Sequence, residues 1–167
     1  MGVGGSTDGP NSIYARRAGG LNLHDTNMNT RIRAFQPADT EPVIGLWKHC
    51  GLTRPWNDPR KDIERKLRVQ PDLFLVAEAD GQIVGSAMAG YDGHRGWVYY
   101  FGVESGARRH GIGRALMAEV ERRVGELGCP KLNLQVRNGN DGATEFYRAL
   151  GFAQDDVSSM GKRLVQD

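Results

Sequence analysis

Polar and apolar residues alternate from Arg31 to Phe35, the two-residue period of a half-buried strand. Pro37, Ala38 and Asp39 interrupt it, and Asp39 is placed to cap a helix whose apolar face is Val43, Ile44, Trp47 and Cys50. Gly51 ends that helix, residues 53–59 read as a loop, and a second short helix carries Ile63 and Leu67 up to Pro71. Residues 73–78 and 82–91 are apolar runs joined by Asp80-Gly81, a good hairpin signal. A further turn, Asp92-Gly93-His94-Arg95-Gly96, leads into the aromatic strand 97–103. Three antiparallel strands in a row are expected.

The period then changes. Ile112, Leu116, Val120 and Val124 recur every four residues and Leu127 closes the stripe, which predicts an amphipathic helix stopped by Gly128 and Pro130. Residues 131–136 read as a strand, and Asn138-Gly139-Asn140 as a turn. Residues 142–150 form a shorter helix with Ala143, Phe146, Tyr147 and Leu150 on one side, and 157–165 offer a last strand or two. The order β-α-α-β-β-β-α-β-α-β predicts one α/β domain with a mixed sheet, beginning near Met28. The first 20 residues hold six of the chain's 23 glycines, and residues 1–27 show no apolar periodicity. They read as a disordered leader or upstream extension, with an acceptor-binding arm as the functional alternative. Arg16-Arg17 is not followed by an apolar stretch, so it does not make an export signal.

Composition narrows the function classes. The 167 residues suffice for one domain with a real core, and 22 Lys and Arg against 20 Asp and Glu leave a net charge of +2. That near-neutrality removes the global electrostatic reason to expect a nucleic-acid binder. No apolar run exceeds five residues, as at 73–77, so no membrane span is expected. Two cysteines, Cys50 and Cys129, exclude a disulfide scaffold and read as reduced structural thiols of a cytoplasmic protein.

The informative junction is 103–114, Val-Glu-Ser-Gly-Ala-Arg-Arg-His-Gly-Ile-Gly-Arg. A strand ends, a basic turn follows, and the long helix begins at its glycines. A helix start presents unpaired N–H groups and about half a positive charge. The missing Cβ atoms of Gly111 and Gly113 let an anion come close, and Arg108, Arg109 and Arg114 add charge. This is the chemistry of a phosphate or pyrophosphate cradle. It lacks the Gly-Lys-Ser/Thr ending of a P-loop and the third glycine and distal acid of a dinucleotide fingerprint. A tight turn with a surface arginine cluster is the plainer alternative.

A second motif adds to the first. Arg108-x-x-Gly111-x-Gly113 after an aromatic strand, then Asn140-x-x-Ala143-x-x-Phe146-Tyr147 and Leu150-Gly151-Phe152, resembles the GNAT superfamily of N-acetyltransferases over about residues 30–165. Segments 54–59 and 91–96 are most similar to its bacterial YpeA-like branch. The resemblance implies a GNAT domain over 28–167: a mixed, mostly antiparallel α/β sheet splayed between its fourth and fifth strands and flanked by about four helices. It implies acetyl-CoA as co-substrate and no metal. The pantetheine arm would pair with the backbone of Phe101 and Val103. The pyrophosphate would sit on the loop of Arg108, Arg109, His110, Gly111, Ile112, Gly113 and Arg114. Asn140 would bond the pantetheine, and Ala143, Phe146 and Tyr147 would line the other wall. The family often has glycine after the first loop arginine; here it is Arg109, which puts the loop's shape in question rather than its backbone donors.

The implied chemistry is transfer from a thioester to a primary amine by direct attack in a ternary complex. The amine must lose a proton, the oxyanion needs a fixed donor, and the leaving thiolate needs a proton. By resemblance the backbone N–H of Val103 is the oxyanion donor and Tyr147 the general acid. The base positions of two well-known branches are held here by Gln135 and Trp97, neither of which can serve. Glu104, His94, Tyr99, Asp92 and Glu78 remain as candidates, with Glu104 and His94 carried forward as weak ones, directly or through water. Trp47, Trp56 and Trp97 suit either an acceptor pocket or the core. The partner is a small-molecule or peptide/protein amine, not nucleic acid or membrane, and a homodimer is one assembly that the resemblance allows. A catalytically weak module that binds acetyl-CoA as a sensor or partner subunit is the alternative.

Overall fold

A computed structural model describes residues 29–167. The expectation for 1–27 lies outside the described residues. Strand β1 (Thr30–Ala34) leads through a single 3-10 turn, Pro37–Asp39, into α1 (Thr40–His49) and then α2 (Pro59–Leu67). Strands β2 (Phe74–Ala79), β3 (Gln82–Tyr91) and β4 (Gly96–Val103) follow, then α3 (Ile112–Glu126), β5 (Leu132–Leu134) and α4 (Asp141–Arg148). The sheet runs β1-β2-β3-β4-β5, antiparallel except for the parallel pair β4–β5.

The alternation of β2 explains the layering. Leu75 faces a core with Ala87, Val98, Leu116, Met117, Val120 and Val124, so α3 covers that side. Phe74 and Val76 face Phe35, Val43, Ile44, Trp47 and Ile63, so α1 and α2 cover the other. With both faces covered, β2 reads as an unbroken apolar run rather than an alternating one.

Helix ends show where local rules hold and where they yield. Asp58 caps α2 by accepting from the amides of Arg60 and Lys61. Asp39 stands at the N-cap position of α1 but does not cap it with its side chain. Its buried carboxylate instead accepts two bonds from Arg33 at 2.7 and 2.9 Å and one from the amide of Gln36. Burial makes the arginine partner worth more than an exposed cap, because the unpaired guanidinium would be costly to leave beside the core.

The C-terminal third corrects three expectations. Leu127 lies outside α3 and is exposed; Cys129 and Leu132 take up the packing instead. Strand β5 is three residues long, and 153–167 contain no strand: Val157, Met160, Leu164 and Val165 are exposed. That segment is held by side chains, through Lys131–Asp155, Gln135–Ser159, Arg163 on the Trp56 carbonyl, and Arg65–Asp167.

Candidate active site

The sheet is open where the aromatic strand ends. Strand β5 pairs only with Gly96, Trp97 and Val98, so among the described residues no strand lies on that side of residues 99–103 of β4. A β-bulge sits at the parting point. Gly102 lies opposite Ser86 and Tyr99 opposite Met88, leaving Tyr100 and Phe101 against the single residue Ala87. A bulge bends its strand and sharpens its twist, which is how β4 leaves β5. Tyr100 is in the left-handed region, at φ 48°.

The backbone beyond the bulge faces the opening. Gly85 lies opposite Val103, and the next amide, Glu104 N–H, bonds the Val84 carbonyl. Gly85 and Val103 are therefore a pair that exchanges no hydrogen bonds, and the N–H and C=O of Val103 point away from β3. The Val103 carbonyl accepts from Arg108 Nε at 2.9 Å and Cys50 Sγ at 3.6 Å. Cys50, half-buried with its thiol pushed up by burial, is free, as is Cys129.

The loop 108–114 continues from that edge. Arg108, Arg109, His110 and Arg114 are exposed, while Ile112 is buried and pegs the loop to the core with Ala77 and Ala107. The first bond of α3 is from the Ala115 amide to the Gly111 carbonyl, so the amides of 112–114 have no partner within the helix. Gly111 is left-handed at φ 77° with nothing within 4 Å of a would-be Cβ. Arg109 adopts φ 66°, so it holds without glycine the backbone shape that glycine favours. Gly113 has a different reason: a Cβ there would stand 3.2 Å from the Phe146 ring. Its missing side chain admits α4 rather than clearing space for an anion.

Helix α4 supplies the opposite wall. Asn140 caps it, accepting from the Ala143 amide at 3.2 Å. Phe146 and Tyr147 are half-buried and lie 5.7 and 5.8 Å, ring to ring, from Phe101 of β4. The Tyr147 phenol is pushed up to about 12 by burial, so it keeps its proton across the neutral range. Its hydroxyl has no hydrogen-bond partner among the described residues.

The remaining candidates are scattered. Glu104 stands at the end of β4, where it accepts from the amide and hydroxyl of Ser105 and lies 3.5 Å from His49 Nδ1. Those contacts hold its carboxyl below the usual range, which makes it a weaker base. His94 is exposed in the turn before β4, at the opposite end of that strand from Val103. There Asp92 accepts from the amides of His94 and Arg95, which lower its own pKa. Glu78 is bound to Arg33. Trp47 is core, Trp56 is exposed, and Trp97 stacks on Tyr99 at 6.3 Å. The bulge is the feature that sequence reasoning missed; a left-handed tyrosine carries no compositional signal. No group of three or more potential metal ligands occurs among the described residues, and no described helix is long and apolar enough to cross a membrane.

Known proteins are similar to this chain in sequence and in fold. The model of the acetyltransferase (GNAT) family matches residues 31–152. The chain is 53% identical over 136 residues to an acetyltransferase of Yersinia enterocolitica, spanning 81% of this chain and 96% of that one. Among solved structures, Ard1 from Thermoplasma volcanium superimposes with a TM-score of 0.68 at 30% identity, covering 74% of this chain and 82% of that one. An aminoglycoside N-acetyltransferase in complex with CoA has the same fold, with a TM-score of 0.65 at 23% identity over 83% of this chain and 97% of that one.

Proposed function

The chain belongs to the GNAT family of acetyltransferases and is an acyl-CoA-dependent acetyltransferase; from that premise we propose that it moves an acetyl group from acetyl-CoA to a primary amine by direct attack in a ternary complex. The observation that carries this reading is the unpaired edge of β4. Its Val103 N–H points into the opening, with the free amides of 112–114 at one end and the aromatic wall of α4 across from it. An extended ligand pairs with such an edge as a peptide would.

Each part of acetyl-CoA finds a chemical match. The pantetheine amides pair with backbone groups of Phe101 and Val103 and with Asn140, and Ala143, Phe146 and Tyr147 line its other side. The pyrophosphate sits on the loop from Arg108 to Arg114, where backbone donors, the helix dipole and arginine charge act together. The amine nitrogen forms a bond to the thioester carbon and the C–S bond breaks. The amine gives up a proton, and the sulfur takes one. The Val103 N–H stabilises the oxyanion, and Tyr147 protonates the sulfur. A water chain takes the amine proton, with Glu104 and His94 the weaker alternatives. No metal takes part. The acceptor is a small-molecule or peptide/protein amine, met in the cytoplasm, with neither nucleic acid nor membrane as partner.

Calorimetric titration tests the first half of this reading, and thiol release from acetyl-CoA against a panel of amines tests the second. Acetyl-CoA binding with no thiol release from any amine in the panel would leave a binding module rather than an enzyme of this specificity. No binding at all would remove the reading.

A further inference from the structure

Ser86 links the far face of the sheet to the opening. It is fully buried, accepts from Trp47 Nε1 at 2.8 Å, and donates to the Tyr100 carbonyl at 2.9 Å. That carbonyl belongs to the left-handed residue of the bulge. The same tyrosine stacks its ring on Trp47 at 3.8 Å and donates its hydroxyl to Asp62 Oδ2 at 2.6 Å. A strained backbone conformation persists where its surroundings over-determine it, and three contacts here fix one residue.

The consequence lies on the other side of the peptide. Every described peptide bond is trans, and in a trans peptide the C=O and N–H point in opposite directions. With the Tyr100 carbonyl turned toward Ser86 on β3, the N–H of Phe101 is turned toward the opening between β4 and β5. We infer that Ser86, oriented by Trp47, is a positioning residue that aims the Phe101 N–H at the thioester carbonyl oxygen, beside the Val103 N–H two residues along the same edge. This rests on acetyl-CoA occupying the opening as proposed above, with the thioester carbonyl rather than a pantetheine amide facing the Phe101 N–H. A donor held in place before the reaction needs no reorganisation during it, which is the value of a buried brace beneath a strained peptide.

The test uses the full chain and acetyl-CoA isotope-labelled at the carbonyl carbon. Difference infrared spectra are expected to show the bound carbonyl band shifted to lower frequency than in buffer. Ser86→Ala should return the band toward its free position and weaken acetyl-CoA about three- to tenfold relative to CoA, the size of one hydrogen bond. Affinity for CoA itself should stay within about twofold, because the pyrophosphate loop is untouched. Ser86→Thr keeps the hydroxyl and should restore the shifted band. A purely structural serine would weaken both ligands equally and leave the band of bound acetyl-CoA in place, and that result overturns the inference. So does an unshifted band in the wild-type complex. If Ser86→Ala does not fold, Trp47→Phe decides: it keeps an aromatic ring under Tyr100 and removes the donor that orients Ser86 together with part of the buried indole. A wild-type band in that variant overturns the inference, and a partial return supports it. Failure of wild-type protein to bind either ligand is the separate failure of the acetyl-CoA reading.

Discussion

Tyr147 combines three properties that a proton donor needs: a position across from the open edge of β4, a hydroxyl with no partner among the described residues, and a raised pKa of about 12. Replacing it with phenylalanine keeps the ring contacts with Phe101, Phe146 and Phe152 and deletes only the donor. Turnover should fall roughly ten- to a hundredfold, at or below the low end of the usual weight of general-acid assistance, since a thiolate is already a fair leaving group. Acetyl-CoA affinity should hardly change, because the hydroxyl matters as charge grows on sulfur. An unchanged rate, with chemistry shown to be rate-limiting, would make Tyr147 a packing residue. At this scale the sequence was informative about chemical type and blind to conformation. Arginines, glycines and an Asn-to-Tyr motif are legible because their chemistry is in the letters. The left-handed Tyr100, the left-handed Arg109 and the Trp47–Ser86 hydrogen bond are not, since the two backbone conformations fall on residue types that do not favour them and the hydrogen bond joins residues far apart in the chain.

Among elements, the loop 108–114 is the one whose shape and charge separate most cleanly. Aspartate at position 111 tolerates the left-handed φ better than most residues, and its Cβ would meet nothing within 4 Å. Gly111→Asp should therefore fold, yet lose at least about 2 kcal/mol of acetyl-CoA affinity through repulsion of the pyrophosphate. Gly111→Asn has the same shape without the charge and should lose much less, so calorimetry on the pair isolates electrostatics from strain. Equal affinities in both variants and wild type would mean a turn with an arginine cluster and no anion. A second element-level device ties β1, the turn before α1, and β2 through Arg33 with Asp39 and Glu78. Hydrogen bonds from Arg33 hold the Asp39 carboxyl below its ordinary value. The stability it contributes is present above the ordinary carboxylate range and is lost as pH falls through the depressed folded value. Asp39→Asn should cost about 3 kcal/mol at neutral pH, since it leaves a largely buried guanidinium poorly matched. Urea midpoints measured from pH 7 down to about pH 3 should keep their gap to about pH 4 and begin to close below it, as the unfolded carboxyl takes up its proton. A constant gap across that range would assign the loss to packing. Element order was legible from β1 to α4 because hairpin turns, helix stripes and glycine stops are local signals. The expected strand at 157–165 failed because an alternating pattern cannot reveal whether a sheet edge is available to pair with it.

On the scale of the molecule, two cores on opposite faces of one sheet account for why the site can be open without costing the fold. Residues 99–103 lack a strand partner on the β5 side among the described residues, but the side chains beneath them are braced from both faces, Tyr100 on Trp47 and Phe101 on the α4 aromatics. The family match begins at residue 31 and β1 at Thr30, where its register with β2 already starts at Ala79. The apolar pattern likewise begins there, after 27 residues rich in glycine and without periodicity. A chain beginning at Met28 should therefore retain both cores and every residue assigned to acetyl-CoA. Its melting temperature is expected within about 2 °C of the full chain's, which for a domain of this size corresponds to roughly half a kcal/mol. Its acetyl-CoA affinity should match within about twofold, the range of substitutions that touch neither ligand nor core. Acceptor turnover is the discriminating measurement. If stability and acetyl-CoA binding hold while KM for the amine rises severalfold, the leader is an acceptor-binding arm, because only the second substrate would feel its loss. If the melting temperature itself falls by more than about 5 °C, the segment packs on the domain and the boundary at Met28 is wrong.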